Sequence, residues 1–500
     1  MILCTKFPRR QDYDNNRIAY NLNKSRQGIE RNYFLRAAVT AHCMISLLVA
    51  TAECALSECS RFRSLRTVAV VSIPSYGRIA FVRSTTTSTT KVIGRASSLF
   101  VMSRTHSSGA SAGNSHADSG EKMAKLIPST PSSLANAGAR LRGDFRTSSK
   151  PSTLVSFPTE TVYGLGANAL SSDDCASIFA AKRRPLDDPL IVHVADASDA
   201  YALWAADDIS LDALRVLAAR FWPGPLTLVA PAAPCVPSIV TAGTGHVALR
   251  SPSHPVARAL IRAAGVPLAA PSANRFGHVS PTRASHVLDD LGGEDVWVVD
   301  ADDACGVGVE STVARVDGQT RIVTVLRHGA VAKREMQEAL EEMTSAGGFV
   351  VESACRSAGG AVQGPVAVSP GQAVRHYAPD VTCYVVSRCA AAALMSSVEK
   401  SAPEILSRAV VIDYGGRLSA LQPHCLAYRD LSENCQPKEA ASCIFDTLRW
   451  SEEVEGADRV YLPEIILEEE ENGRDDGGLL WAVRDRLTRA ASGITISELQ

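Results

Sequence analysis

The sequence predicts an α/β protein made of two successive units. Three observations carry that expectation. Between about residues 125 and 345, short apolar runs alternate with capped helical patterns. From about residue 344 to 368 the chain is rich in Gly, Ala and Ser, which reads as a linker. From residue 381 onward strand and helix patterns alternate a second time.

Taken in order, residues 1–124 stand apart. They carry many Arg and few acids, with a Ser/Thr run from Ser84 to Thr90 and a Ser/Gly/His stretch from Thr105 to Gly120. Such composition reads as mostly disordered or targeting sequence. The apolar segment from Ala37 to Ala52 is shorter than the ~20 residues a bilayer span needs. Residues 132–141 read as a helix and 153–156 as a strand. Residues 171–183 form a well-signalled helix: Ser171 or Ser172 can cap it, Asp173 and Asp174 suit its positive end, and Lys182 and Arg183 its negative end. Residues 226–230 read as a strand. Pro255 at a first helical position and Gly265 after the last bracket another helix. Ser280-Pro281 is expected to cap a third, ending at Gly292. Residues 296–300, 311–316 and 321–326 read as strands, the last two joined by a tight Asp317-Gly318 hairpin. In the second unit, residues 381–386, 409–413 and 459–462 read as strands, followed by a long amphipathic helix at 479–491.

Bulk properties narrow the function. The chain has 500 residues, 46% hydrophobic and 21% charged, with a formal net charge of -2. That balance excludes a chain that coats nucleic acid by charge alone. Thirteen Cys are scattered without a Cys-x-x-Cys pair or zinc spacing, as for reduced intracellular thiols. The sequence contains no Walker loop, nucleophile elbow or HExxH motif.

Chemistry concentrates in a few runs. Phe157-Pro158-Thr159-Glu160-Thr161-Val162-Tyr163-Gly164-Leu165-Gly166 packs hydroxyls, a carboxylate and a phenol between Pro and Gly. It reads equally as a ligand loop or as a turn with satisfied hydroxyls. In the run from Lys182 through Arg184-Pro185-Leu186-Asp187-Asp188 to His193, a helix ends in a basic cluster and a strand ending in His begins. Arginine forks grip phosphate oxygens, although helix-end charge complementarity explains the cluster as well. Pro271-Ser272-Ala273-Asn274, then Gly277 and Ser280-Pro281-Thr282, follow a strand, where α/β sheets bind ligands. Glu310-Ser311-Thr312-Val313 and Arg327-His328-Gly329 are weaker signals.

In order and spacing these runs resemble the YrdC family, over roughly residues 125–345. The resemblance continues through Ser369-Pro370-Gly371-Gln372-Ala373-Val374-Arg375-His376-Tyr377-Ala378-Pro379, which is similar to the linker of two-domain members. It extends to Gly478-Leu479-Leu480-Trp481-Ala482-Val483-Arg484-Asp485-Arg486-Leu487, similar to their closing helix. Asp188 and Asp485 stand where the family usually has Asn, Val374 where it has Tyr, and His246 where a small hydroxyl residue is common.

The resemblance implies a twisted mixed sheet with flanking helices at 125–345, a linker or lid at 346–380 and a smaller Rossmann-like α/β domain at 381–500. It implies synthesis of L-threonylcarbamoyl-AMP from L-threonine, bicarbonate and ATP with release of pyrophosphate. That is the first step towards threonylcarbamoyladenosine beside the anticodon of ANN-decoding tRNAs. Thr161, His193, Arg250 and Ser311 would hold threonine. Arg184, Asp188, Ser272, Asn274, Ser280, Arg327 and Tyr377 would hold ATP, with Lys182 and Arg184 serving the reacting phosphates. Mg2+ would arrive with ATP, and no metal would be held by the protein itself. The product would pass to a threonylcarbamoyl transferase complex, with tRNA as a further partner and no membrane. The expected compartment is the cytoplasm, or an organelle if residues 1–124 target it. The rival expectation is a non-catalytic module binding double-stranded RNA or tRNA.

Overall fold

The computed structural model describes residues 68–72, 79–83, 123–147, 153–301, 305–341, 348–354, 377–388, 403–467 and 478–497. It divides into two units, 1–115 and 116–500. In the first unit, β1 (Val68–Ser72) and β2 (Ile79–Arg83) pair antiparallel. Everything below concerns the second unit.

A large mixed sheet of eleven strands runs β13-β12-β11-β7-β8-β6-β9-β5-β4-β10-β3. Its strands are β3 (Lys125–Pro128), β4 (Val155–Phe157), β5 (Gly164–Asn168), β6 (Ile191–His193), β7 (Leu226–Pro231), β8 (His246–Arg250), β9 (Leu268–Ala269), β10 (Trp297–Asp300), β11 (Thr312–Asp317), β12 (Ile322–Arg327) and β13 (Val350–Ser353). The helices α1 (Pro131–Arg142), α2 (Ser172–Lys182), α3 (Asp208–Phe221), α4 (Pro255–Ala264), α5 (Ala284–Leu291) and α6 (Lys333–Glu341) accompany it. Central strands such as β4 and β6 are buried along their whole length. They therefore read as apolar runs without a period of two.

Local chemistry sets most boundaries. Ser171 accepts from the backbone N–H of Asp174 and caps α2, whose first turn holds Asp173 and Asp174. Pro255 opens α4, and Gly265 at φ 65° ends it. Helices α1 and α4 pack closely because Gly138 has no side chain. A Cβ there would lie 2.5 Å from the carbonyl carbon of Ala263.

Three expectations are corrected. Ser280-Pro281 does not cap the next helix: α5 starts at Ala284, with Arg283 at the cap position and no side-chain cap bond. Strands β11 and β12 are joined by four residues, 318–321, and not by a tight two-residue turn. The Asp317 carboxylate accepts from the N–H groups of Gln319 and Thr320 there. Part of the expected linker, Val350–Ser353, is an edge strand parallel to β12. Its tie is long-range, so local composition does not announce it.

A second sheet is wholly parallel, in the order β16-β15-β17-β14-β18. It comprises β14 (Thr382–Val386), β15 (Ala409–Asp413), β16 (Ala427–Asp430), β17 (Arg459–Pro463) and β18 (Thr495–Ile496), with α7 (Pro437–Glu453) and α8 (Gly478–Ala490) alongside. The core of this small-sheet domain also takes in Val162, Val279 and Val309 from the large-sheet domain. Polar contacts reinforce the joint. Arg449 on α7 donates to the Val279 carbonyl at 2.5 Å and to Asp290 at 2.7 Å. His278 lies 2.7 Å from Asp290 and 2.9 Å from Glu452. The Trp481 ring stacks on His328 at 5.1 Å.

Among the described residues, no helix is long and apolar enough to cross a membrane. Of the expected linker or lid at 346–380, residues 346–347 and 355–376 lie outside the described residues.

Candidate active site

One cavity gathers residues from runs far apart in the sequence. Thr159 and Thr161 come from the loop between β4 and β5, and Gly164 opens β5. Arg184 follows α2, His193 ends β6, and Arg250 ends β8. Pro271 and Ser272 follow β9, Glu310 and Ser311 precede β11, Arg327 ends β12, and Tyr377 closes the wall. Most of these groups sit at strand ends or in the loops that follow, where a sheet offers backbone and side chains to a ligand.

One side carries the residues expected to hold threonine. The Arg250 guanidinium donates to Thr161 Oγ1 at 3.0 Å and to the Gly224 carbonyl at 3.2 Å, and pairs with Glu160 at 2.6 Å. The hydroxyls of Ser311 and Thr227 lie 2.7 Å apart. Among the described residues, His193 Nδ1 is buried without a hydrogen-bond partner. Burial, then the Arg250 charge, pushes the His193 pKa down to about 3. The ring is therefore a neutral donor or acceptor at ordinary pH.

The other side carries arginines. Arg184 is buried, bonded to the Pro189 carbonyl at 2.9 Å and paired with Asp188 at 2.8 Å. Arg327 donates to the Ser311 carbonyl at 3.1 Å and its hydroxyl at 3.2 Å. Ser272 donates to the Asn274 side-chain oxygen at 2.5 Å. Tyr377 is buried at φ 64°, with its ring 5.2 Å from Phe445.

The other four expected residues do not line the cavity. Lys182 lies behind its wall. Its Nζ donates to the carbonyls of Ser272 (2.6 Å) and Asn274 and approaches the Asn274 side chain at 3.4 Å. It braces the Ser272–Asn274 loop from below. Asn274 locks the same loop by donating to the carbonyls of Arg275 and His278. Asp188 orients Arg184. Ser280 donates to Glu310 Oε1 at 2.7 Å.

Two residues that the site reading left out matter here. Glu310 lines the cavity, and Arg486 of α8 holds it from behind at 3.0 Å. Arg486 had a legible signal. It falls three and four residues from Val483 and Ala482 and four from Ala490, on the buried face of α8. A charge on an apolar stripe needs a buried partner.

Comparison with known proteins agrees with this architecture. The family model Sua5_yciO_yrdC, described as telomere recombination, matches residues 150–329. A model of the threonylcarbamoyl-AMP synthase C-terminal domain matches residues 331–492. Threonylcarbamoyl-AMP synthase of Bacillus subtilis is 42% identical over 247 residues, 49% of this chain and 64% of that protein. The Pyrococcus abyssi threonylcarbamoyl-AMP synthase is 42% identical over 233 residues, 47% of this chain and 64% of its own length. The match thus spans just under two thirds of these relatives. The crystal structure of P. abyssi Sua5 complexed with L-threonine superposes with a TM-score of 0.59 at 30% identity, over 75% of this chain and 99% of that one. With both domain models in register along one chain and a full-length structural relative at that identity, the chain belongs to the Sua5/YrdC family, in its two-domain form.

Proposed function

We propose that this protein is an L-threonylcarbamoyl-AMP synthase. The observation that supports the reading is the meeting, in one cavity, of Thr161, His193, Arg250 and Ser311 with Arg184, Ser272, Arg327 and Tyr377. One group suits an amino acid, the other a nucleotide. Arg250 would grip the threonine carboxylate, with the Thr161 and Ser311 hydroxyls orienting the rest. Neutral His193 would accept or donate without adding charge. Arg184 and Arg327 would meet the phosphates of MgATP, whose Mg2+ rides on the triphosphate. The carboxylate that lines the cavity, Glu310, is already engaged by Arg486 and Ser280.

The chemistry asks little covalent help from the protein. The threonine amine takes up CO2 from bicarbonate, giving a carbamate and water. A carbamate oxygen attacks the α-phosphorus, the bond to the bridging oxygen breaks, and pyrophosphate leaves. Positioning and buried positive charge supply the rate, and enclosure protects the carbamate and the mixed anhydride. The product would then go to a transferase that modifies adenosine beside the anticodon of ANN-decoding tRNAs. We place the reaction in the cytoplasm, or in an organelle if residues 1–124 act as a targeting segment.

An RNA-binding module would display its arginines on an open face. Arg184, Arg250 and Arg327 are instead 7%, 3% and 7% exposed and turned into the cavity. The test is pyrophosphate release measured with each substrate omitted in turn. Release that needs threonine, bicarbonate and MgATP together is expected, and release that ignores threonine overturns the reading.

A further inference from the structure

We infer that Arg486, carried by the small-sheet domain, is a positioning residue for the nucleotide: it neutralises Glu310 so that the cavity can accept a triphosphate. The inference rests on the function proposed above. Glu310 lines the cavity and is only 6% exposed, alongside Arg327 and Ser311. A bare carboxylate there would repel phosphate oxygens and divert the nearby arginines. Arg486 prevents this. Its Nε and Nη2 donate to Glu310 Oε2 at 3.1 and 3.0 Å, and Ser280 donates to the other oxygen at 2.7 Å. Its Nη1 donates to the His328 carbonyl at 2.9 Å.

The guanidinium stays out of the cavity. It is fully enclosed, does not line the cavity, and spends its donors on protein oxygens. It also lies 5.5 Å from the ring of Tyr377, which does line the cavity. From behind the wall, one side chain thus fixes two lining groups. A fully buried Arg–Glu pair is a poor source of stability compared with apolar packing, so its value here lies in setting the charge of the pocket. The small-sheet domain thereby completes a site whose other walls belong mostly to the large-sheet domain.

The experiment compares the full chain with Arg486→Gln and with the double variant Arg486→Gln/Glu310→Gln. MgATP affinity is read by calorimetry, which does not depend on turnover, and KM for ATP and threonine from pyrophosphate release. Arg486→Gln should weaken MgATP binding about tenfold or more, because it leaves Glu310 charged and unpaired. Threonine KM should move far less. The double variant carries no unpaired charge and should bind MgATP within about threefold of the parent. Unchanged MgATP affinity in Arg486→Gln overturns the inference. So does a double variant that folds, by its thermal transition, yet still binds about tenfold more weakly. If Arg486→Gln does not fold, the double variant alone decides. Failure of the proposed function would show separately, as a parent chain that binds MgATP but ignores threonine.

Discussion

Arg250 and Glu160 face each other at 2.6 Å beside the cavity, and Thr161 accepts a second arm of the same guanidinium at 3.0 Å. Glu160 is held in turn by the backbone N–H of Ser253 at 3.1 Å. The fork is therefore pre-aimed, and an incoming carboxylate must share it with Glu160. A lysine supplies charge but not the fork. Arg250→Lys should raise threonine KM by roughly 10- to 100-fold, the loss of a charge-assisted hydrogen bond, while MgATP affinity holds. Threonine saturation curves check this, and an unchanged KM removes Arg250 from the threonine site.

His193 should not titrate in the working range. Burial and the neighbouring Arg250 hold its pKa near 3, against an ordinary value of 6.5. Threonine KM should therefore be flat across about pH 5.5 to 7.5, where a solvent-exposed histidine would change charge. A pH profile of KM decides. An inflection near 6.5 that disappears in His193→Asn would show that the ring is charged in the free enzyme.

His278 behaves in the opposite way. Burial opposes its charge, but the hydrogen bonds it donates to the carboxylates of Asp290 and Glu452 override that and raise its pKa to about 9. Asp380 and Arg449 complete its charged surroundings. A pKa raised on folding stabilises the protein fully below the unfolded value of 6.5, and the gain is lost as pH climbs through about 9. The shift corresponds to a few kcal/mol at most, of order ~3. His278→Gln should lower Tm clearly at about pH 6 and much less at about pH 9.5. Equal losses at both pH values would show that His278 is neutral in the folded protein.

How much of this was legible in the sequence depended on range. The capped helices α2 and α4 and the β11–β12 pair follow from caps, Pro, Gly and apolar runs, all local signals. Strand β8 and the long helices α3 and α7 were not foreseen, although β8 pairs with the nearby β7. Most cavity residues carry chemistry-bearing types in short runs and so stood out, whereas Arg250 and Tyr377 entered only through the family resemblance. What the sequence could not separate was wall from brace. Lys182 and Arg184 sit two apart at the end of one helix, yet one is bonded under the Ser272–Asn274 loop and the other faces the cavity. Ser280 looked like a helix cap and instead holds Glu310. Those differences come from long-range contacts within the large-sheet domain, such as Lys182 to Ser272 and Ser280 to Glu310, which no short motif encodes.

Gly308 tests the docking of the two domains directly. It stands at φ 75°, and a Cβ there would meet the Ala441 carbonyl oxygen at 2.3 Å and the Ser442 Cα at 2.5 Å, both backbone atoms of α7. Left-handed strain alone accounts for about 1–2 kcal/mol in an L-residue. Overpacking against a helix backbone adds about 1–3 kcal/mol, since no side chain can swing away. Gly308→Ala should therefore destabilise by about 3 kcal/mol and, because Val309 and Glu310 follow, weaken MgATP binding as well. Gly306 supplies the control: a Cβ there meets nothing within 4 Å, so Gly306→Ala should stay within about 0.5 kcal/mol. Denaturant melts of both variants give the comparison. A Gly308→Ala loss no larger than the strain alone would mean that α7 does not pack on this loop, and the charge pairing of Arg486 with Glu310 would lose its structural support.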